Sequence, residues 1–144
     1  MRIFLALAGL LAAAVVMNGA GGAAAVTYIG HDKVAEALAK SLDLLKAPDL
    51  TVLGAYRNGP GQVEVHDKET DVFYVTDGAA TFITGGTMVG GKATGPGQMR
   101  GTDIQGGQTH HLSKGDVIVI PAGIPHWFKE VPASIHYFVV KVLK

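Results

Sequence analysis

The segment Gly115–His126, GDVIVIPAGIPH, decides how this chain is read. Gly115 and Asp116 suit a tight turn, and Val117–Ile120 is a β-branched run of the kind that packs on a pleated surface. Pro121 stops the run because it has no N–H to give to a ladder. Gly123 can take the positive φ of a sharp reversal, and Pro125 fixes the backbone just before His126. The pattern predicts a strand, a turn and a second strand, a rigid hairpin that holds His126 in a defined place.

Upstream lies a second polar stretch, Glu64–Gly78, EVHDKETDVFYVTDG. Alternation of side chains in a strand puts Glu64 and His66 on one face and Val63 and Val65 on the other. Both polar groups can therefore point into one pocket, with Asp71 following closely.

The later segment resembles the second signature motif of the cupin superfamily: glycine, five residues, proline, one residue, glycine, two residues, histidine. Glu130 stands where an asparagine often ends that motif. The earlier segment is similar to a degenerate first motif. With six residues between it and Gly78, Asp71 occupies the glutamate position; His66 is the second histidine, and Glu64 replaces the first. The resemblance covers roughly residues 50 to 142 and implies an all-β fold, a double-stranded β-helix or jelly-roll barrel, with a homodimer as the assembly. It also implies one divalent metal ion, held by His66 and His126 with Glu64 and Asp71. Carboxylates and imidazoles together suit Zn, Mn, Fe or Ni, and affinity order alone does not choose among them. Aspartate is one methylene shorter than glutamate, so Asp71 either reaches the ion directly, reaches it through a water, or supports another ligand.

Composition agrees with one small core: 144 residues, 48% hydrophobic, with no long charge run. Met1 and Arg2 precede an apolar run from Ile3 to Met17, and small residues follow through Ala25. That order is the signature of a secretory signal, and the run is shorter than the ~20 residues a membrane-spanning helix needs. We expect residues 1–25 to be removed, a periplasmic or secreted mature chain from Val26, a helical segment over 26–48 and a β-barrel domain over 49–144. Twelve basic against twelve acidic residues give no basic stripe, which excludes nucleic acid and, after signal removal, an anionic membrane surface as partners. With no cysteine, neither disulfides nor thiolate chemistry are available.

One helical period is present. Val34, Ala35, Leu38, Leu42 and Leu45 recur at three- and four-residue steps from His31 to Leu45, while Lys33, Glu36, Lys40 and Asp43 form a solvated face. Beyond Pro48 the predicted strands are Leu50–Arg57, Gln62–His66, Val72–Val75, Ala79–Thr84, His110–Leu112, Val117–Ile120 and Ile135–Val142. Gly85–Gly107 has no clear periodicity and reads as a hairpin tip, a mobile lid, or both.

In the last strand Ile135, Tyr137, Val139 and Lys141 share a face. The charge on Lys141 suggests that this face is outside, which turns His136 into the barrel. His110 shares a face with Leu112. His110 and His136 are thus candidate catalytic residues, able to move a proton beside the metal, as is Glu64. Phe73, Phe82, Trp127 and Phe128 read as core or interface aromatics. The functional expectation is a metal-dependent enzyme acting on a small oxygen-rich molecule by lyase, isomerase or related proton-transfer chemistry. The alternatives are an Fe-dependent dioxygenase and a non-catalytic module that binds or senses a metal or small ligand.

Overall fold

The computed structural model describes residues 25–144. The expected signal segment therefore lies, except for Ala25, outside the described residues. Among the described residues no helix is long and apolar enough to cross a membrane.

Helix α1 spans His31–Lys40, five residues short of the periodic pattern. Ser41 ends it in the left-handed conformation at φ 57°, and its hydroxyl takes the Tyr56 N–H at 2.9 Å and donates to the Tyr56 carbonyl at 3.2 Å. The leucines beyond then form strand β1, Asp43–Lys46, which pairs with β2, Leu50–Arg57. Unpaired edge groups on β2 outweigh the helical preference of that short run.

The remaining strands are β3 Val63–His66, β4 Glu69–Thr84, β5 Thr87–Val89, β6 Lys92–Gly95, β7 Gln98–Gly101, β8 Asp103–Gln105, β9 Gln108–Ser113, β10 Val117–Ile120, β11 His126–Glu130 and β12 Ile135–Leu143. Two antiparallel sheets share β4. Its first half pairs with β10 and with β12, which continues through β2 to β1; its second half pairs with β9 and with β11, which continues through β3 and β7 to β6. The two strands expected over 72–75 and 79–84 are one strand of 16 residues, bent at Gly78. Gly78 has φ 81°, and a Cβ there would meet the Ser134 carbonyl oxygen at 2.0 Å, so only glycine allows the strand to pass between sheets.

The sheets face each other across Phe73, Phe82, Phe128 and Tyr137, with Phe82 and Phe128 meeting edge to face at 4.6 Å between centroids. This is an all-β double-stranded β-helix with one short helix laid against β2.

Two expectations are corrected by this arrangement and one is made specific. Pro121–Pro125 is not a hairpin turn, because β10 and β11 lie in different sheets; the segment is a corner that carries the chain across, with Gly123 at φ 81° and its N–H on the His66 carbonyl at 2.8 Å. Gly85–Gly107, read as a hairpin tip or a lid, is built of hairpins: β5 pairs with β8, β6 with β7, and β7 joins the sheet through β3. The faces of β12 are reversed. Ile135, Tyr137 and Val139 are buried in the core, so Lys141 points inward with them and His136 points out toward α1.

Candidate metal centre

Alternation along β3 buries Val63 and turns Glu64 and His66 together into the barrel. Register then sets His126 of β11 opposite Glu64, and Lys141 of β12 opposite Asp71 of β4. The four residues singled out from sequence thus meet. His66 Nε2 lies 3.4 Å from Glu64 Oε2 and 3.5 Å from Asp71 Oδ2; His126 Nε2 lies 3.9 and 3.8 Å from the same two atoms. Ligand atoms of Glu64, His66 and His126 all fall within 4.8 Å of one another, and so do those of His66, Glu69 and Asp71.

The tautomers of both rings follow from their other contacts. Gln98 Nε2 donates to Glu69 at 2.8 Å, and a carboxylate only accepts, so the Gln98 oxygen faces His66 and takes the proton of Nδ1. His126 Nδ1 donates to the Ile124 carbonyl at 3.0 Å. In the neutral rings each Nε2 therefore carries a bare lone pair. Both Nε2 atoms are buried with no hydrogen-bond partner among the described residues. Two lone pairs facing two carboxylates without a proton between them repel, and a cation placed among them relieves that repulsion. The residues fit a divalent metal on these grounds.

Electrostatics without an ion shows the same tension. Burial pushes the Glu64 carboxyl up, but His66, Arg100 and His126 outweigh it and hold it down to about 2. Burial disfavours charge on His66, yet Glu64 and Asp71 prevail and raise it. At 3.4 Å that pairing is electrostatic rather than a hydrogen bond. Burial lowers His126, which stays neutral. Lys141, raised by its carboxylate partners against the effect of burial, reaches Asp71 at 3.0 and 3.2 Å and Glu69 at 2.9 Å.

Beside the cluster is a cavity of about 140 Å³, with Arg57, Glu64, Asp71, His126, Tyr137 and Lys141 on its wall among apolar side chains. The other two candidates are elsewhere. His136 donates to the Leu38 carbonyl at 3.0 Å and packs on Tyr56 outside the barrel. His110 turns inward beside Leu112 but meets Thr84 Oγ1 at 2.8 Å and does not line the cavity.

Sequence reasoning missed Lys141, Gln98, Glu69, Arg57 and Tyr137. For Lys141 and Tyr137 the signal pointed the wrong way, since the opposite face of β12, with Phe138, Val140 and Val142, reads as the more apolar. None existed for Gln98, which lies in the glycine-rich stretch.

The sequence model of the family described as Cupin matches residues 30–141. The chain belongs to the cupin family. His66, Glu64 and Asp71 lie in its first motif segment and His126 in its second. No curated protein sequence matches the chain. Among solved structures, this cupin superposes on KdgF from Halomonas sp. with a TM-score of 0.52 at 17% identity, over 72% of this chain and 78% of that one. A Bacillus halodurans protein gives 0.52 at 13% identity, over 71% and 68%. A cupin protein from Bacteroides fragilis gives 0.50 at 13%, over 71% and 75%. At such identities the likeness is one of fold.

Proposed function

We propose that this cupin is an exported metal-dependent enzyme for a small oxygen-rich molecule, using lyase, isomerase or related proton-transfer chemistry. One observation carries the metal reading: the partnerless Nε2 atoms of His66 and His126 converge on Glu64 and Asp71. His66, His126 and Glu64 would hold the ion. Asp71, drawn to Lys141 through both of its oxygens, fits the role of a neighbour that tunes the site better than that of a full ligand.

A divalent ion held there supplies Lewis acidity, polarising a bound carbonyl or carboxylate oxygen and stabilising negative charge on it. The chain's own residues do the rest. Gln98 and the Ile124 carbonyl hold the two rings in orientation. Lys141 offsets the excess negative charge of Asp71 and Glu69. Burial raises the Tyr137 hydroxyl, so it stays protonated at neutral pH and can donate a hydrogen bond to a ligand oxygen in the cavity. Glu64, held near 2, is a poor base, and it suits ligation better than proton abstraction. Phe73, Phe128 and Val139 keep the inner wall dry.

Export rests on the Met1–Ala25 pattern, and intact-mass measurement of periplasmic material tests it. Pairing of two copies would cover the exposed outer side of the β10 and β4 sheet, where Tyr74, Val117 and Val119 are exposed. The test of function is elemental analysis of the purified mature protein, followed by a panel of small acids, keto acids and sugars with oxygen uptake recorded in parallel. Turnover without oxygen uptake supports the lyase or isomerase reading. Oxygen consumption with bound Fe replaces it with a dioxygenase. Binding without turnover replaces it with a sensing module.

A further inference from the structure

The cavity beside the cluster has a second charged wall. Leu53, Ala55 and Arg57 alternate inward along β2, and all three line it. On β12, Arg57 stands opposite Ile135, whereas Asp71 stands opposite Lys141. Arg57 and the Asp71–Lys141 pair thus enter the same cavity from different levels of the barrel. Tyr137 lies between them on the same inward face.

Each acidic or ammonium group on the cavity wall has a charged partner: Lys141 has Asp71 and Glu69, and Glu64 has His66 and Arg100. Arg57 has none. Among the described residues it forms no ion pair, and its Nε is buried without a hydrogen-bond partner. Its guanidinium carbon lies 4.9 Å from the centroid of the Phe128 ring. That contact uses one face of the guanidinium; in its plane the N–H groups reach toward the Tyr137 hydroxyl and meet no charged group, and their fork matches the two oxygens of a carboxylate. At the far end of the cavity the carboxylates of Glu64 and Asp71 are already matched by Arg100, His66 and Lys141, so Arg57 is the cation on the wall left free for the charge of an anionic ligand.

We propose that Arg57 is the anion-binding end of the cavity and that the ligand is a small organic acid, its carboxylate on Arg57 and an uncharged oxygen turned toward the His66 and His126 cluster. The first half stands on Arg57 alone; the second rests on the metal reading above.

The test is calorimetric binding of pyruvate, succinate and 2-oxoglutarate, each against its neutral amide, to Mn-loaded mature protein and to Arg57→Met and Arg57→Lys. Wild type should bind at least one acid more tightly than its amide by about tenfold, the worth of one charge-assisted hydrogen bond. Arg57→Met should lose that preference with metal content unchanged, and Arg57→Lys should keep part of it. If Arg57→Met does not fold, a full loss of preference in Arg57→Lys would equally overturn the role of the positive charge. No acid outbinding its amide in wild type overturns the inference, as does a preference that survives in Arg57→Met.

Repeating the series on metal-stripped protein separates the two readings. A preference that survives stripping but disappears in Arg57→Met upholds Arg57, and an affinity for acid and amide alike that stripping leaves unchanged counts against the metal reading. A preference lost on stripping yet kept in Arg57→Met puts the carboxylate on the ion, overturning the inference and leaving the metal reading in place.

Discussion

Replacing Lys141 with Met tests the interior of the barrel most severely. Asp71 is 2% exposed, and the Lys141 ammonium lies 3.0 and 3.2 Å from its oxygens and 2.9 Å from Glu69. Methionine fills the volume of the lysine stem but leaves a buried carboxylate without its cation. Breaking a buried pair on one side costs about 3–5 kcal/mol. The Lys141 side chain keeps 23% exposure, which places the expected loss near the lower bound, about 3 kcal/mol. For a domain of this size that lowers the melting temperature by roughly 10 °C. Urea and thermal denaturation at pH 7 in chelator measure it. The double variant Lys141→Met with Asp71→Asn should recover most of the loss, because the fully buried carboxylate is then neutral and only the part-exposed Glu69 is left without its cation. A Lys141→Met protein within about 0.5 kcal/mol of wild type would behave as surface lysines do and refute the inward parity of β12.

Other consequences are as direct. Gln98→Leu removes the acceptor that orients His66, so metal affinity measured by calorimetry should fall about 10–100-fold; an unchanged affinity would show that the ring needs no such support. Gly54→Ala drives a Cβ to 2.5 Å from the Ala37 carbonyl carbon and 2.6 Å from the Leu38 nitrogen, both rigid backbone of α1. The overpacking should cost about 1–3 kcal/mol and loosen hydrogen-exchange protection in the helix, whereas unchanged protection would mean that α1 does not seat there. Glu64, held down to about 2 from 4.5, adds stability that is fully present above pH 4.5 and is lost as pH falls toward 2. In chelator the Glu64→Gln protein should therefore show a shallower loss of stability across that window, and an identical slope would count against the electrostatics of the site.

What could be read from the sequence was what local chemistry decides. Val117–Ile120 is a strand from its β-branching, Gly123 has the positive φ expected of it, and Glu64 and His66 share a face because β3 is regular. Convergence of His66, His126, Glu64 and Asp71 was legible through motif spacing. The failures came where distant partners decide. Leu42–Leu45 has a helical period, but β2 needed an edge partner. Gly78 reads as a turn between two strands and instead bends one. Lys141 reads as a surface charge because its counter-charges, Asp71 and Glu69, come from a strand about seventy residues earlier. Gln98 could not be found at all, since its strand exists only through pairing with β3.

The central claim is that His66 and His126 share one divalent ion, and calorimetric titration of the metal-stripped protein with Zn or Mn, paired with melting curves in metal and in chelator, tests it most directly. One ion should bind per chain. At a hundredfold excess over its dissociation constant it should stabilise the fold by ~2.7 kcal/mol. His126→Ala should bind none and melt at the same temperature in both buffers. Wild-type protein that takes up no ion and melts identically with metal and with chelator would contradict the account.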